Sequence, residues 1–237
     1  NDDSDLDGLP DYLDEDPFVF VHMNVILQGP FDKAEGLMTD ILRQKDLIPL
    51  VEPFSNIQLG LYKPFTHVGK GGGEKITDTS VFDDKGENSI VDWVFLEIRN
   101  SFDNTKIEHT RAALIQRDGD IVDMDGESPI YFPVLDGINY YLVAKHRNHL
   151  GIMTKDPISM DRNLLAPIAL DFTDGSAPIH GEHGMRTKDL NGKFALWGGN
   201  TDGNRFIIFQ GSGVGIPDSD GIFFTIFGDE SNRPPKY

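Results

Sequence analysis

The residues best suited to chemistry stand at the start of the chain, where aspartates alternate with other residues. Asp3, Asp5 and Asp7 occupy every second position, and Gly8 follows them, which allows a sharp turn around one ion. The first 16 residues hold seven Asp and one Glu but no Lys or Arg, so they repel one another unless a cation is bound. Many oxygen ligands suit Ca²⁺ better than Mg²⁺. The spacing therefore predicts a calcium site; the alternative is an acidic linker with solvated carboxylates.

The string DSDLDGLPDYLD at residues 3–14 resembles a thrombospondin type 3 repeat, a calcium-binding module. The resemblance implies that one ion is shared by five aspartates and one backbone carbonyl. These ligands would be Asp3, Asp5, Asp7, Asp11 and Asp14, together with the carbonyl of Leu9.

A second acidic cluster lies in the string RDGDIVDMDGES. It holds four aspartates within eight residues, namely Asp118, Asp120, Asp123 and Asp125. Its two Asp-Gly pairs fit a calcium loop, but they fit equally well two turns at the ends of a short strand. The sequence leaves both interpretations open.

A third cluster, in GGNTDGNRFIIF, places Asn200, Asp202 and Asn204 at alternate positions, with the Phe206 carbonyl next in order. Asp218 and Asp220 would complete this calcium shell after a loop. The glutamate that usually closes such loops at the twelfth position is missing. A turn rich in Asn, Asp and Gly is the alternative.

Four of the seven histidines form two pairs with HxxH spacing, His146 with His149 and His180 with His183. Neither pair belongs to the HExxH pattern of zinc proteases, and histidines three apart in one strand would point to opposite faces. The chain also lacks a GxSxG nucleophile motif. We therefore expect structural histidines, bonded to loop backbone, and no enzymatic activity. A metal-dependent hydrolase is the third-ranked function.

The two tryptophans are the side chains that a sugar-binding module would use. Trp93 lies in a run that is apolar on both alternating faces, which predicts a core position. Trp197 precedes two glycines, and we expect it in the core as well.

Composition excludes several classes of protein. The net charge of −18 argues against nucleic-acid binding, which depends on Lys and Arg. The sequence contains no apolar run of about 18 residues, so no transmembrane segment is expected. Cysteine is absent, which excludes disulfides and thiolate metal sites. The chain begins with Asn1 and not Met, so we expect a processed or excised chain.

Short runs rich in Val, Ile, Phe and Tyr, separated by Gly and Pro, predict an all-β fold, a β-sandwich that is Ig-like or jelly-roll-like with long loops. Asp118 and Gly119 predict a tight hairpin. Leu37, Ile41 and Leu42 share a helical face, which predicts one short helix within residues 32–47. The string HVGKGGGEK lacks the context of a phosphate loop and is interpreted as a flexible surface loop.

We expect three segments in this fold. Residues 1–16 form the acidic calcium-binding linker, and residues 17–160 form the main sandwich. Residues 161–237 add further strands and the degenerate calcium loop to the same sandwich.

The stretch VILQGPFDKAEGLMTDILRQKDLIPLVEPF and three later strings, IVDWVFLEIRN, TRAALIQRDGDIVDMDGESPIYF and YYLVAKHRNHLGIMT, resemble a domain of large secreted surface proteins of Bacteroidetes-type bacteria. The similarity covers about residues 20–230. The string FALWGGNTDGN resembles their calcium loop, although Asn200 and Asn204 replace aspartates and Arg205 stands where glycine is usual. The resemblance implies a location and an architecture, and no chemistry.

These observations predict an extracellular structural protein of the bacterial cell surface, stabilised by calcium, that assembles with copies of itself into a filament, sheath or lattice. The apolar stretch at residues 17–28 would need cover if it lay at a sheet edge, either from its own sandwich or from a neighbouring subunit. The alternative function is a glycan-binding or adhesive module of a larger secreted protein, with extracellular glycans as its partners.

Overall fold

A computed structural model describes residues 18–57, 64–134, 137–160, 167–181 and 184–199 of the chain. The described part is all-β, as the sequence predicts. Its strands are β1 (Phe18–Asn24), β2 (Phe31–Asp32), β3 (Leu37–Met38), β4 (Ile90–Asn100), β5 (Ile107–Gln116), β6 (Asp120–Val122), β7 (Ile130–Pro133), β8 (Ile138–His146), β9 (His149–Met153), β10 (Ile158–Met160), β11 (Ile168–Asp171), β12 (Met185–Leu190) and β13 (Lys193–Leu196). A short helix, α1 (Ile41–Gln44), and two 3-10 turns (Phe54–Asn56 and Thr79–Phe82) complete it. None of the described helices has the length and apolar character needed to cross a bilayer.

One large sheet organises the fold. It has nine strands in the order β10-β8-β4-β5-β6-β1-β11, with β7 added beside β1 and β9 added beside β8. Its pairs are antiparallel except for β1 and β11, which are parallel. The hairpin predicted at Asp118 and Gly119 is confirmed, because it joins the paired strands β5 and β6.

Isolated bridges connect distant parts of this sheet. Leu196 in β13 forms a parallel bridge with Leu27, just beyond β1. On its other side, Gly198 bridges His149 at the start of β9, and the Leu150 amide donates to the Trp197 carbonyl over 2.8 Å. The chain around β13 therefore forms hydrogen bonds with the segment that follows β1 on one side and with β9 on the other. It links two strands that lie far apart in the order of the large sheet.

Strands β4 and β5 are buried on both faces. One hydrophobic cluster, which includes Leu96 and Ile115, lies between the halves of the curved sheet with residues of β1, β8 and β9. The second cluster includes Trp93 and lies on the opposite face, with residues from segments 48–57 and 64–82. Trp93 is fully buried, as predicted, and its indole nitrogen donates to the Pro49 carbonyl over 2.8 Å.

Strand β1 lies inside the sheet. It pairs with β7 and β6 on one side, and Val21–Asn24 pair with β11 on the other. Val19, Val21 and Met23 are buried, and the residues between them are half-buried or exposed. The protein's own sheet therefore pairs this strand on both sides over Val21–Asn24, which is the simpler of the two arrangements considered for it.

The predicted helix is much shorter than its sequence pattern. Residues 31–38 form a hairpin of β2 and β3, and only Ile41–Gln44 are helical. Gly36 takes a positive φ of 73°, and its amide donates to the Asp32 carbonyl over 2.8 Å, so a turn forms where the helix was expected to begin. Ile41 is 55% exposed, so the expected shared apolar face does not exist.

Candidate functional site

Two of the three predicted calcium sites lie outside the described residues. These are the N-terminal set (Asp3, Asp5, Asp7, Leu9, Asp11 and Asp14) and the late set (Asn200, Asp202, Asn204, Phe206, Asp218 and Asp220). Both remain predictions.

The second acidic cluster is described, and its four carboxylates have separate partners. Asp118 accepts the amide of Asp120 over 3.1 Å, while Asp123 pairs with Arg111 at 2.5 Å. Asp125 accepts two backbone amides of its own turn, each over 2.9 Å. Among the described residues these carboxylates do not converge as a group of metal ligands. Turn formation and one ion pair account for the cluster, and this geometry does not support the calcium interpretation of Asp118, Asp120, Asp123 and Asp125.

His146 and His149 lie on two paired strands and not on one. His146 ends β8, His149 begins β9, and the two residues face each other in the register of that pair. The centroids of their rings are 4.8 Å apart, in an edge-to-face arrangement. The expectation that the rings point to opposite faces is therefore wrong, because a tight turn separates the two residues.

The two rings belong to a buried chain of hydrogen bonds. His146 Nε2 lies 3.1 Å from Asp92 Oδ2, and the two Nδ1 atoms are 2.9 Å apart. His149 Nε2 accepts the Gly29 amide over 3.2 Å, and His146 Nδ1 accepts the Asn148 amide over 3.2 Å. Because Nε2 of His149 is an acceptor, its Nδ1 carries the proton and donates to His146, whose own proton then faces Asp92. We call Asp92, His146, Arg147 and His149 the Asp92 cluster.

The carboxylate oxygens of Asp92 and the ring nitrogens of both histidines all have hydrogen-bond partners. Arg147 donates to both carboxylate oxygens of Asp92, over 2.9 and 2.7 Å, and the Trp93 amide donates to the same carboxylate over 2.8 Å. Burial, and then the nearby His146, lower the pKa of His149 to about 3. A neutral His149 matches its role as the acceptor for Gly29. The bonds to Gly29 and Asn148 are of the kind expected for structural histidines.

The remaining residues of interest lie at the surface or only partly inside. His180 is exposed, and His183 lies outside the described residues. Trp197 is half-buried, whereas we expected it in the core. It directly follows β13, and its carbonyl accepts the Leu150 amide of β9.

The glycine-rich loop forms hydrogen bonds with the part of β5 that does not pair with β6. The Thr110 amide donates to the Val68 carbonyl over 3.0 Å, and the Val68 amide donates to Thr110 Oγ1 over 2.9 Å. A Cβ at Gly71 would lie 2.0 Å from the Thr110 carbonyl oxygen, so only glycine allows this approach. The loop thus packs closely against the β5 backbone, whereas the sequence predicted a flexible surface loop.

The loop also brings together three groups suited to metal binding, which we call the Glu52 cluster: Glu52, His67 and Glu74. One ligand atom from each lies within 4.8 Å of the others. The Glu52 amide donates to the Glu74 carbonyl over 3.0 Å, which places these two residues side by side. The carboxylate of Glu74 also accepts the Ala112 amide over 3.1 Å and so holds the loop to β5.

Glu52 is the most deeply placed member of the cluster, with only 1% of its side chain exposed. It accepts the amides of Phe54 and Ser55 over 2.7 and 3.1 Å, and the Ser55 hydroxyl as well. Burial alone would raise the pKa of Glu52, but the bonds from Ser55 and the nearby His67 bring it below its ordinary value. The carboxylate is therefore ionised and faces His67.

A cleft of about 420 Å³ borders the Glu52 cluster, and Glu74 and Thr110 line it. Its other walls combine aromatic rings with cationic side chains, and Arg111 stacks 3.8 Å above the ring of Tyr131. Lys70 and Phe18 also contribute. Rings beside charged groups are typical of sites that bind polar ligands with apolar faces.

Sequence reasoning missed the Glu52 cluster. The one signal in the sequence was that two possible metal ligands, His67 and Glu74, stand on either side of the glycine run. Glu52 joins them through backbone bonds across the loop, which no local pattern reveals.

Comparisons with protein-family models, curated proteins and solved structures found no match for this chain. The resemblance to bacterial surface proteins and to the thrombospondin repeat therefore stays a hypothesis.

Proposed function

We propose that the protein is a non-enzymatic structural domain of an extracellular bacterial surface assembly, stabilised by calcium and acting by contact with copies of itself. The observation that carries this proposal is that buried charged side chains link strands to one another in the described part of the chain. The Asp92 cluster ties β4 to the turn between β8 and β9 through groups that satisfy one another. Such networks favour one rigid arrangement of strands.

A second buried charge supports the same role. Glu97 in β4 has 1% of its side chain exposed and pairs with Arg99 and with Lys145 of β8, the latter at 3.0 Å. Lys145 also donates to the Pro64 carbonyl over 2.7 Å. These charges join strand to strand and strand to loop, which suits a domain that has to resist mechanical tension.

Calcium provides the test of the proposal. At millimolar calcium, a site with a dissociation constant near 0.1 mM stabilises the fold by about 1–2 kcal/mol. We expect EGTA to lower the melting temperature and to reduce particle size in light scattering. The triple change Asp3→Asn, Asp5→Asn, Asp7→Asn should remove the N-terminal contribution to both effects.

A matched control for this experiment changes the same net charge outside the proposed ligand set: Asp2→Asn, Glu15→Gln, Asp16→Asn. The control should keep the calcium response. A monodisperse monomer at high concentration with calcium present, or equal responses of the two triple variants, would contradict the proposal.

The cleft beside the Glu52 cluster favours a second candidate function, a glycan-binding module. Tyr131 and Phe18 offer ring surface for a sugar, and Lys70 and Arg111 line the cleft beside them, Arg111 in its ion pair with Asp123. Binding of an acidic polysaccharide, measured by calorimetry, should weaken in Tyr131→Ala. It should be unchanged in Phe102→Ala, since Phe102 is 98% exposed and lies outside the cleft. Equal binding by the two variants would remove this candidate.

A further inference from the structure

The Glu52 cluster places three electron-pair donors around one buried point. We propose that Glu52, His67 and Glu74 bind one divalent transition-metal ion of the zinc class. Its ligands are other residues, in another combination of chemical types, than those of the calcium loops predicted at residues 3–14 and 200–220.

The orientation of His67 is the first argument. Thr110 Oγ1 donates to the Val68 carbonyl over 3.3 Å, so its oxygen is left to accept from His67 Nδ1, which lies 3.2 Å away. The proton of the neutral ring is then on Nδ1, and the lone pair on Nε2 faces the carboxylates. Metal-binding histidines are commonly fixed in this way, through a hydrogen bond from the other ring nitrogen.

The second argument is that His67 Nε2 has no hydrogen-bond partner although it is buried. Its nearest carboxylate atom, Glu52 Oε2, lies 3.5 Å away. This is longer than the roughly 2.7–2.9 Å of a charge-assisted hydrogen bond. It matches the roughly 3.4 Å that separates two ligands of a tetrahedral zinc ion with bonds of about 2.0–2.1 Å.

The ligand types define the class of ion. One imidazole nitrogen with two carboxylates suits zinc and neighbouring transition metals, whereas calcium takes oxygen ligands. The two carboxylates give the cluster negative charge that a divalent cation would balance. Glu74 also lines the cleft, which gives an ion a route from solvent.

A proton on Nε2 of His67 is the competing occupant, because it would turn the contact with Glu52 into a simple ion pair. The two occupants differ in a measurable way. Zinc binds His67 only by displacing that proton into solvent. Where the proton holds the site, added zinc changes neither the zinc content nor the stability of the chain.

The test uses the full chain in excess calcium, so that acidic loops are occupied, followed by ZnCl₂ and removal of unbound metal. We expect the unaltered chain to retain one more zinc ion per chain than His67→Gln or Glu74→Gln. Zinc should also raise the melting temperature of the unaltered chain but not that of His67→Gln or Glu74→Gln. His180→Gln is the matched control, because His180 is exposed, and it should keep the full zinc content.

Zinc-edge X-ray absorption of the unaltered chain tests the site without any substitution. A first shell of oxygen with one imidazole nitrogen is the expected result. An all-oxygen shell, or His67→Gln that keeps the zinc content and melting shift of the unaltered chain, would overturn the proposal.

Discussion

The Asp92 cluster and the Glu52 cluster are both buried groups of histidine and carboxylate packed against the central sheet, yet they differ in completeness. In the Asp92 cluster each ring nitrogen of His146 and His149 has a partner within 3.2 Å. In the Glu52 cluster the inner nitrogen of His67 has none. The same residue types therefore serve two purposes, and the count of satisfied hydrogen bonds separates a structural histidine from a candidate ligand.

Removing the central carboxylate of the Asp92 cluster should have the largest effect. Asp92→Ala leaves the buried His146 and the partly buried Arg147 without their acceptor, so we expect the free energy of unfolding to fall by about 3–5 kcal/mol. Urea denaturation measures it. Asp156→Ala, at an exposed acid, should change stability by less than about 0.5 kcal/mol. Equal losses in the two variants would show that the Asp92 cluster is not a structural centre.

Acid should weaken the same cluster through His149. The folded chain keeps His149 neutral down to a pKa of about 3, whereas the unfolded chain takes up a proton near 6.5. The stability that His149 contributes is therefore complete above about pH 6.5 and is lost as the pH falls towards 3. Between pH 7 and pH 5 the loss is about 2 kcal/mol.

The pH effect is checked by urea denaturation at both pH values. His149→Gln should show a smaller loss on acidification, since glutamine does not titrate, while His180→Gln should behave like the unaltered chain. The same slope in His149→Gln and the unaltered chain would assign the acid sensitivity to other groups.

A change at Thr110 probes the Glu52 cluster. Thr110→Val keeps the shape but removes the hydroxyl that bonds Val68 and orients His67, so unfolding free energy should fall by about 1–3 kcal/mol. Zinc affinity should fall by about 10–100-fold. Thr77→Val, at an exposed position, is the control. A stability loss with unchanged zinc affinity would separate the loop contact from the metal site.

The smallest effect is expected in the second acidic cluster. Burial and the neighbouring charge of Asp118 raise the pKa of Asp120, so its charge at pH 7 is unfavourable in the folded state. Asp120→Asn should therefore stabilise the protein by on the order of 0.5 kcal/mol, with or without calcium. Asp156→Asn should have no effect. A calcium-dependent loss of stability in Asp120→Asn would favour the calcium interpretation over the turn interpretation.

The parts that local sequence patterns predicted are those in which local and tertiary forces agree. The run around Trp93 is rich in β-branched and aromatic residues, which favour a strand, and Asp118 with Gly119 favours a tight turn. The one short helix predicted within residues 32–47 is present, but it covers only Ile41–Gln44, because Gly36 turns the chain before it.

The candidate site was not predictable in the same way. Glu52 lies near His67 because backbone hydrogen bonds place Glu52 beside Glu74. Thr110 contacts His67 from β5, a strand far along the chain. The pairing of His146 with His149 was visible as a spacing, but its meaning depended on a turn between them. Sequence periodicity carries no information on such contacts until the strands are placed.

The bridge between Leu27 and Leu196 has a mechanical consequence. It is parallel, as is the pair of β1 and β11. If the chain were pulled at Phe18 and Gly199 in opposite directions, the bonds that join β13 to the continuation of β1 would be sheared together and not opened one after another. Stretching the protein along this line should therefore require a higher force than peeling β10 from the edge of the sheet.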